Sequence, residues 1–201
     1  MSRILEKLYY SMALGALLAL AIIIWYHGYR VSHADYWGPF FTFLHVLSAI
    51  TWIGLLYYFN LIQTPMMPKI PADLKPGVSK YIAPEVLFWF RWSALSTVVT
   101  GLVVATLKGY LPHSIQWFTA LVKLPFEPTT RTIGTGMWLG LIMAFNVWFI
   151  IWPNQKKALG LVKVDDGEKA KAARVAMLTS RVNFVLSIPM LYCMVMHGLV
   201  G

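Results

Sequence analysis

Five long apolar stretches decide what this chain can fold into; they run roughly Tyr9 to Tyr29, Trp37 to Ile62, Pro84 to Lys108, Ile133 to Trp152 and Met177 to Val200. Each has about the 20 residues that cross ~30 Å of hydrocarbon as a helix rising ~1.5 Å per residue. A soluble domain of 201 residues has no core large enough to hide them. The chain is 58% hydrophobic and 12% charged, with a mean hydropathy of +0.62, and a bilayer must take up that surface. The expected fold is all-α: an integral, multi-pass membrane bundle of about five transmembrane helices, forming a single membrane domain over residues 1–201. Nine Trp in a chain that is 15% aromatic suit helix ends set at two lipid–water interfaces.

Prolines mark the expected breaks. Pro65, Pro68, Pro71 and Pro76 separate the second and third stretches, Pro125 and Pro128 precede the fourth, and Pro153 closes it. The first stretch follows Arg3 and Lys7 and has the polarity of a signal peptide. It is too long for one, and Trp25, Tyr26 and His27 follow it where a small-residue cleavage site would be, so it reads as a retained helix. In the third loop the run Ile115 to Leu124, with Trp117 and Phe118, is too short to span and is expected to lie along the outer interface. The fourth loop sets Asp165, Asp166 and Glu168 among lysines, as a small solvated helix or turn would.

Basic residues alternate by loop. Arg3, Lys7, Lys69, Lys75, Lys80, Lys156, Lys157, Lys163, Lys169, Lys171, Arg174 and Arg181 fall on one side, against Arg30, Lys108, Lys123 and Arg131 on the other. Lys and Arg accumulate on the cytoplasmic side, which places the N-terminus in the cytoplasm and the C-terminus outside. The same grouping accounts for the net charge of +9 and leaves no soluble basic segment long enough to bind nucleic acid. Cys193 is the only cysteine, which excludes an intrachain disulfide, a four-cysteine metal site and a C-x-x-C-H haem attachment; it reads as packing.

Two histidines lie well within the spans, His45 on the second and His197 on the last. His45 is about eight residues, or ~12 Å, below the outer end of its helix, and His197 is within a turn of the outer end of a helix running the other way. Imidazoles on separate helices of an apolar bundle can hold b-type haem, which makes His45 and His197 candidate metal ligands. His27 is an alternative for either. His33 and His113 fall in outer loops. The competing reading is structural: His45 bonds a neighbouring helix and His197 is interfacial.

A second group is polar and lies toward the inner side: Asn60, Glu85, Arg91, Asn146, Arg181 and Asn183. Arg91 stands among Phe88, Trp89, Phe90 and Trp92, where a guanidinium must be paired, snorkelled or wetted. Three readings apply. Arg91 and Arg181 receive an anionic or quinone-like molecule with the asparagines fixing its orientation, or the group anchors haem propionates, or it is interhelical glue. Trp52, Trp138 and Trp148 read as packing or lipid-facing residues, and Met190, Met194 and Met196 as gap fillers, with a methionine axial ligand as the sharper alternative. Gly101, Gly134, Gly136 and Gly140 read as close helix contacts, Gly136 and Gly140 forming a small-xxx-small pair. No hydrolytic motif or phosphate loop is present, and five spans without a repeat or a central carboxylate speak against a secondary transporter.

Four motifs carry a family resemblance: His45 followed by Trp52-Ile53-Gly54-Leu55-Leu56-Tyr57-Tyr58-Phe59-Asn60; Trp89-Phe90-Arg91-Trp92; Phe145-Asn146-Val147-Trp148-Phe149-Ile150-Ile151-Trp152-Pro153-Asn154-Gln155; and Ser180-Arg181-Val182-Asn183 leading into Leu186-Ser187-Ile188-Pro189-Met190. Together they make the chain resemble the membrane domain of the bacterial membrane-bound urate oxidase family, and more broadly small haem-binding membrane proteins, including the membrane protoporphyrinogen oxidase type. The resemblance implies a bacterial inner (cytoplasmic) membrane location and electrons that leave toward a respiratory chain. In that family a c-type cytochrome domain commonly follows. None follows the last helix here, so the expected partner is a separate c-type cytochrome or a larger redox complex on the outer face near His197.

The leading expectation is a b-haem-binding electron-transfer subunit, with His45 and His197 as iron ligands and Arg91 and Asn60 as secondary cofactor-binding residues. The alternatives are a cofactor-free structural or assembly subunit of a larger respiratory or oxygenase complex, and urate oxidation with Arg91 and Arg181 receiving the purine.

Overall fold

The computed structural model describes residues 5–112 and 116–200. Arg3, His113 and Ile115, named above, lie outside the described residues. Among the described residues all regular structure is helical. Among the described residues five helical spans are long and apolar enough to cross a membrane: Leu8–Arg30, Ala34–Lys69, Lys75–Leu107, Arg131–Ala158 and Asp166–His197. The chain is a multi-pass, membrane-type helical protein, and its contacts divide it into two compact units, Met1–Phe40 and Phe41–Gly201.

The first unit holds α1 (Leu8–His27) and the start of α2 (Ala34–Tyr57). From Met12 to Trp25 helix α1 has no polar side chain, so it is apolar on every side, as a lipid-surrounded helix is. Its end is marked by rings and charges: Tyr36 stacks on Phe40 at 5.9 Å, with His27 at 6.1 Å from Tyr36, and Arg30 pairs with Asp35 at 3.6 Å.

The second unit is built from the rest of α2, α3 (Ala83–Leu107), the short α4 (Trp117–Lys123), α5 (Arg131–Phe145), α6 (Trp152–Ala158) and α7 (Asp166–Val200). Among the described residues three π-helical segments, Tyr58–Gln63, Val78–Ile82 and Asn146–Ile151, are built into these spans. Each stops two residues before a proline: Pro65, Pro84 and Pro153. A proline ring collides with the carbonyl four residues back and offers no N–H to it. A turn that is one residue wider displaces that carbonyl, and the helix runs on. The spans therefore overrun their expected ends. Pro65 does not stop the second, which continues to Lys69, and Pro153 opens α6 instead of closing the fourth.

The last span starts earlier than its apolar stretch. Asp165 Oδ1 accepts the Glu168 N–H at 2.8 Å, and Asp166 and Glu168 occupy the first turn, where negative charge complements the helix dipole. The acidic fourth loop is thus largely the first turns of α7, tied back to α6 by the Lys157–Glu168 ion pair.

Glycines at φ +75°, Gly109 and Gly160, end α3 and α6. After Gly109 the Tyr110 N–H reaches the Ala105 carbonyl at 2.8 Å, which folds Tyr110 back over the helix end. The main core joins Trp52, Leu56 and Phe59 to Phe90 and Ala94, Met143 and Val147, and Met190. A smaller cluster seats Leu121 and Leu124, at the end of α4, against Ala105 and Leu111. Trp138 Nε1 donates to the Leu121 carbonyl at 3.0 Å, so the run around α4 is fastened to the fourth span.

Candidate functional site

A cavity of about 800 Å³ opens in the second unit, lined by members of both hydrophobic clusters and walled by His45, Gly101, Tyr110, Met190, Met194 and His197. Its lining is mostly apolar because α2, α3, α5 and α7 all contribute aliphatic and methionine side chains. Both histidines singled out in the sequence therefore line one space.

His45 is held from α3. Its Nδ1 lies 2.8 Å from the Thr97 carbonyl oxygen, and a carbonyl only accepts, so Nδ1 carries the proton. Thr100 Oγ1, whose own hydrogen goes to the Ser96 carbonyl at 2.6 Å, adds a longer contact to Nδ1 at 3.4 Å. In the neutral ring the lone pair is then on Nε2. A backbone carbonyl on one ring nitrogen is the arrangement that fixes the tautomer of metal-binding histidines. The imidazole fits because position 101 is glycine. A Cβ there would meet His45 Cε1 at 2.8 Å and Nδ1 at 3.0 Å. One turn further along the same seam the Ser48 and Ser96 hydroxyls are bonded at 2.8 Å.

His197 is differently placed. Its Nε2 is 2.8 Å from the Tyr110 hydroxyl and the two rings meet edge to face at 5.4 Å. Whichever group donates, Nε2 is occupied. Lys108, at the C-terminal end of α3, also lines the cavity and has no ion pair among the described residues. Trp52, two helical turns from His45 on α2, is buried, and its Nε1 has no hydrogen-bond partner among the described residues.

Arg91 and Asn60 are not in this cavity's wall. Asn60 Nδ2 donates to the Leu56 carbonyl at 2.9 Å and to Ser180 Oγ at 3.0 Å, bridging the second span to α7. The Arg91 guanidinium stacks on Trp152 with its carbon 3.4 Å from the ring centre, and Nη1 is buried without a hydrogen-bond partner among the described residues. Glu85 accepts from Trp89 Nε1 at 2.9 Å. Arg181 is exposed. Asn146, half-buried, and Asn183, fully buried, form a chain, Asn146 Nδ2 to Asn183 Oδ1 at 2.8 Å and Asn183 Nδ2 to the Met143 carbonyl at 2.9 Å. The inner polar group is thus spread over separate seams. His27 belongs to the first unit.

Of the glycines read as close contacts, Gly134 and Gly136 are such notches, a Cβ at Gly134 falling 2.5 Å from the Leu124 carbonyl carbon and one at Gly136 falling 3.0 Å from Cys193 Cβ. Gly140 has nothing within 4 Å, so the small-xxx-small pair is closed at one end only. Two site residues had no sequence signal that singled them out. Tyr110 is in the third loop, 87 residues from its partner, and Thr97 acts through its main chain. A glycine at 101, one turn after Thr97 in a span otherwise rich in large residues, is the trace that this seam leaves.

No curated protein and no solved structure matches the chain. Residues 115–198, which hold the fourth span and the α7 motifs Ser180 to Asn183 and Leu186 to Met190, match the family model described as urate oxidase N-terminal, and over that part the chain is urate oxidase-like.

Proposed function

We propose that this chain is a redox subunit of the bacterial inner membrane that holds b-type haem through His45 and passes electrons to a cytochrome docked at the end of the bundle where α7 finishes. The observation that carries this is the fixed tautomer of His45. With Nδ1–H given to Thr97, the remaining ring nitrogen is a free donor in an apolar cavity of about 800 Å³, within the roughly 300–1,000 Å³ range of pockets that enclose cofactor-sized ligands. Bound haem would supply one-electron transfer. The residues of the chain do the rest. Thr97 and Thr100 orient the imidazole, Gly101 gives the ring its space, the aliphatic wall excludes water, and Lys108 offers a cation to a carboxylate.

The urate-binding reading has less support, because Arg91 is committed to Trp152 and Arg181 is exposed. The test is a reduced-minus-oxidised visible spectrum with pyridine haemochrome analysis of the detergent-purified protein, beside His45→Ala. A b-type spectrum lost in the variant is the expected result. A colourless, well-folded wild type would sink the proposal and leave the cofactor-free structural subunit as the better reading.

A further inference from the structure

Resting on the haem reading, the geometry points to His45 as the one protein residue that would ligate the iron, which would leave the iron able to take a small neutral donor of the diatomic class. The cavity offers few other ligands. His197 has its Nε2 bonded to the Tyr110 hydroxyl at 2.8 Å, so coordination through that atom would first have to break a hydrogen bond inside a mostly apolar wall, where lost bonds are costly.

The thioethers are engaged in packing. Met190 is buried in the main core, Met194 has its methyl carbon in the Gly136 notch, 3.5 Å from where a Cβ would be, and Met137 packs on the smaller cluster. Cys193 has its Cβ against the same notch. Among the described residues no group of three or more His, Cys, Asp or Glu side chains gathers to compete for a metal.

Iron held by one imidazole in a dry cavity keeps an open position, and access, polarity and hydrogen-bond donors around it decide what binds there. Tyr110 and His197 form the hydrogen-bonding pair in this wall. They suit a small ligand that is itself a weak hydrogen-bond acceptor, and Tyr110, bonded to His197 Nε2, would have the further effect of keeping that nitrogen from the iron. The bundle would then exchange ligands at the iron as well as relay electrons, which a site closed by two histidines does not do.

The experiment is a carbon monoxide titration of the dithionite-reduced full-length protein in detergent, followed by the Soret band, for wild type, His197→Ala, Tyr110→Phe and His45→Gly. Wild type is expected to bind one carbon monoxide per haem with a Soret shift. His197→Ala should keep both haem and shift, and Tyr110→Phe should bind carbon monoxide more weakly because His197 is released to compete. His45→Gly should lose haem and regain it with added imidazole, which separates loss of the ligand from loss of the fold. A haem protein whose reduced spectrum ignores saturating carbon monoxide, or one that loses its haem in His197→Ala, would overturn the inference while leaving haem binding intact. Carbon monoxide binding unchanged in Tyr110→Phe would overturn the role given to Tyr110. A colourless wild type would bring down the haem reading and this inference together.

Discussion

A methyl group added at Gly101 would sit 2.8 Å from His45 Cε1, and the ring has little freedom to retreat because Nδ1 is bonded to Thr97. Gly101→Ala should therefore displace the imidazole and destabilise the protein by about 1–3 kcal/mol, the usual cost of overpacking. Thermal unfolding in detergent would read the loss, and any bound chromophore would shift with it. Gly140→Ala is the control: with nothing within 4 Å, the change should gain up to ~1 kcal/mol from helix propensity. Equal losses at both positions would mean that His45 is not seated in the Gly101 notch. His45 was legible in the sequence because an ionisable residue deep in an apolar span stands out by type alone. Thr97 was not, because its contribution is a main-chain oxygen, and Tyr110 was not, because a loop tyrosine has no distinctive pattern until Gly109 turns it back.

At the scale of elements, the spans were legible from apolar length and their ends were not. The misleading signal was proline. Pro65 and Pro153 look like stops, yet a wide turn upstream absorbs each of them. The wide turns have their own polar fittings: Asn60 Nδ2 donates to Leu56, and Asn154 Nδ2 to Ile150 at 2.8 Å, each to a carbonyl four residues back. Asn146, which begins the third of these turns, is tied to α7 through the fully buried Asn183. Asn183→Leu would leave the Asn146 amide without its acceptor and the Met143 carbonyl without its extra donor. A cost of about 1–2 kcal/mol is expected, nearer to the values for interhelical bonds in membranes than to those for soluble cores. Unfolding in graded sodium dodecyl sulfate would measure it. The double variant Asn146→Leu with Asn183→Leu should cost less than the two single changes added, since each single change strands a polar group. Strict additivity would show that the pair is not coupled.

For the whole molecule, the direction of the proposed electron path depends on which end faces the cytoplasm. Lys69 ends the second span, Lys75 and Lys80 stand in the first turns of the third, and Lys156 and Lys157 stand in the last turn of the fourth with Lys163 just after it, whereas the other side carries Lys108, Lys123 and Arg131 among its few basic residues. Moving the larger set across the bilayer is strongly disfavoured, so the proposed orientation keeps the N-terminus inside. In that orientation the part of the cavity wall made by Lys108, Tyr110 and His197 lies toward the outside, because Lys108 and Tyr110 are at the end of α3 and His197 near the end of α7, two helices that run the same way. An alkaline phosphatase fusion after residue 201 should be active and a green fluorescent protein fusion there dark, with the reverse for fusions in the loop at residues 70–74. A fluorescent C-terminal fusion would turn the whole arrangement over: the end of the bundle that holds Lys108, Tyr110 and His197 would face the cytoplasm, and a periplasmic cytochrome would have no route to His45 from that end.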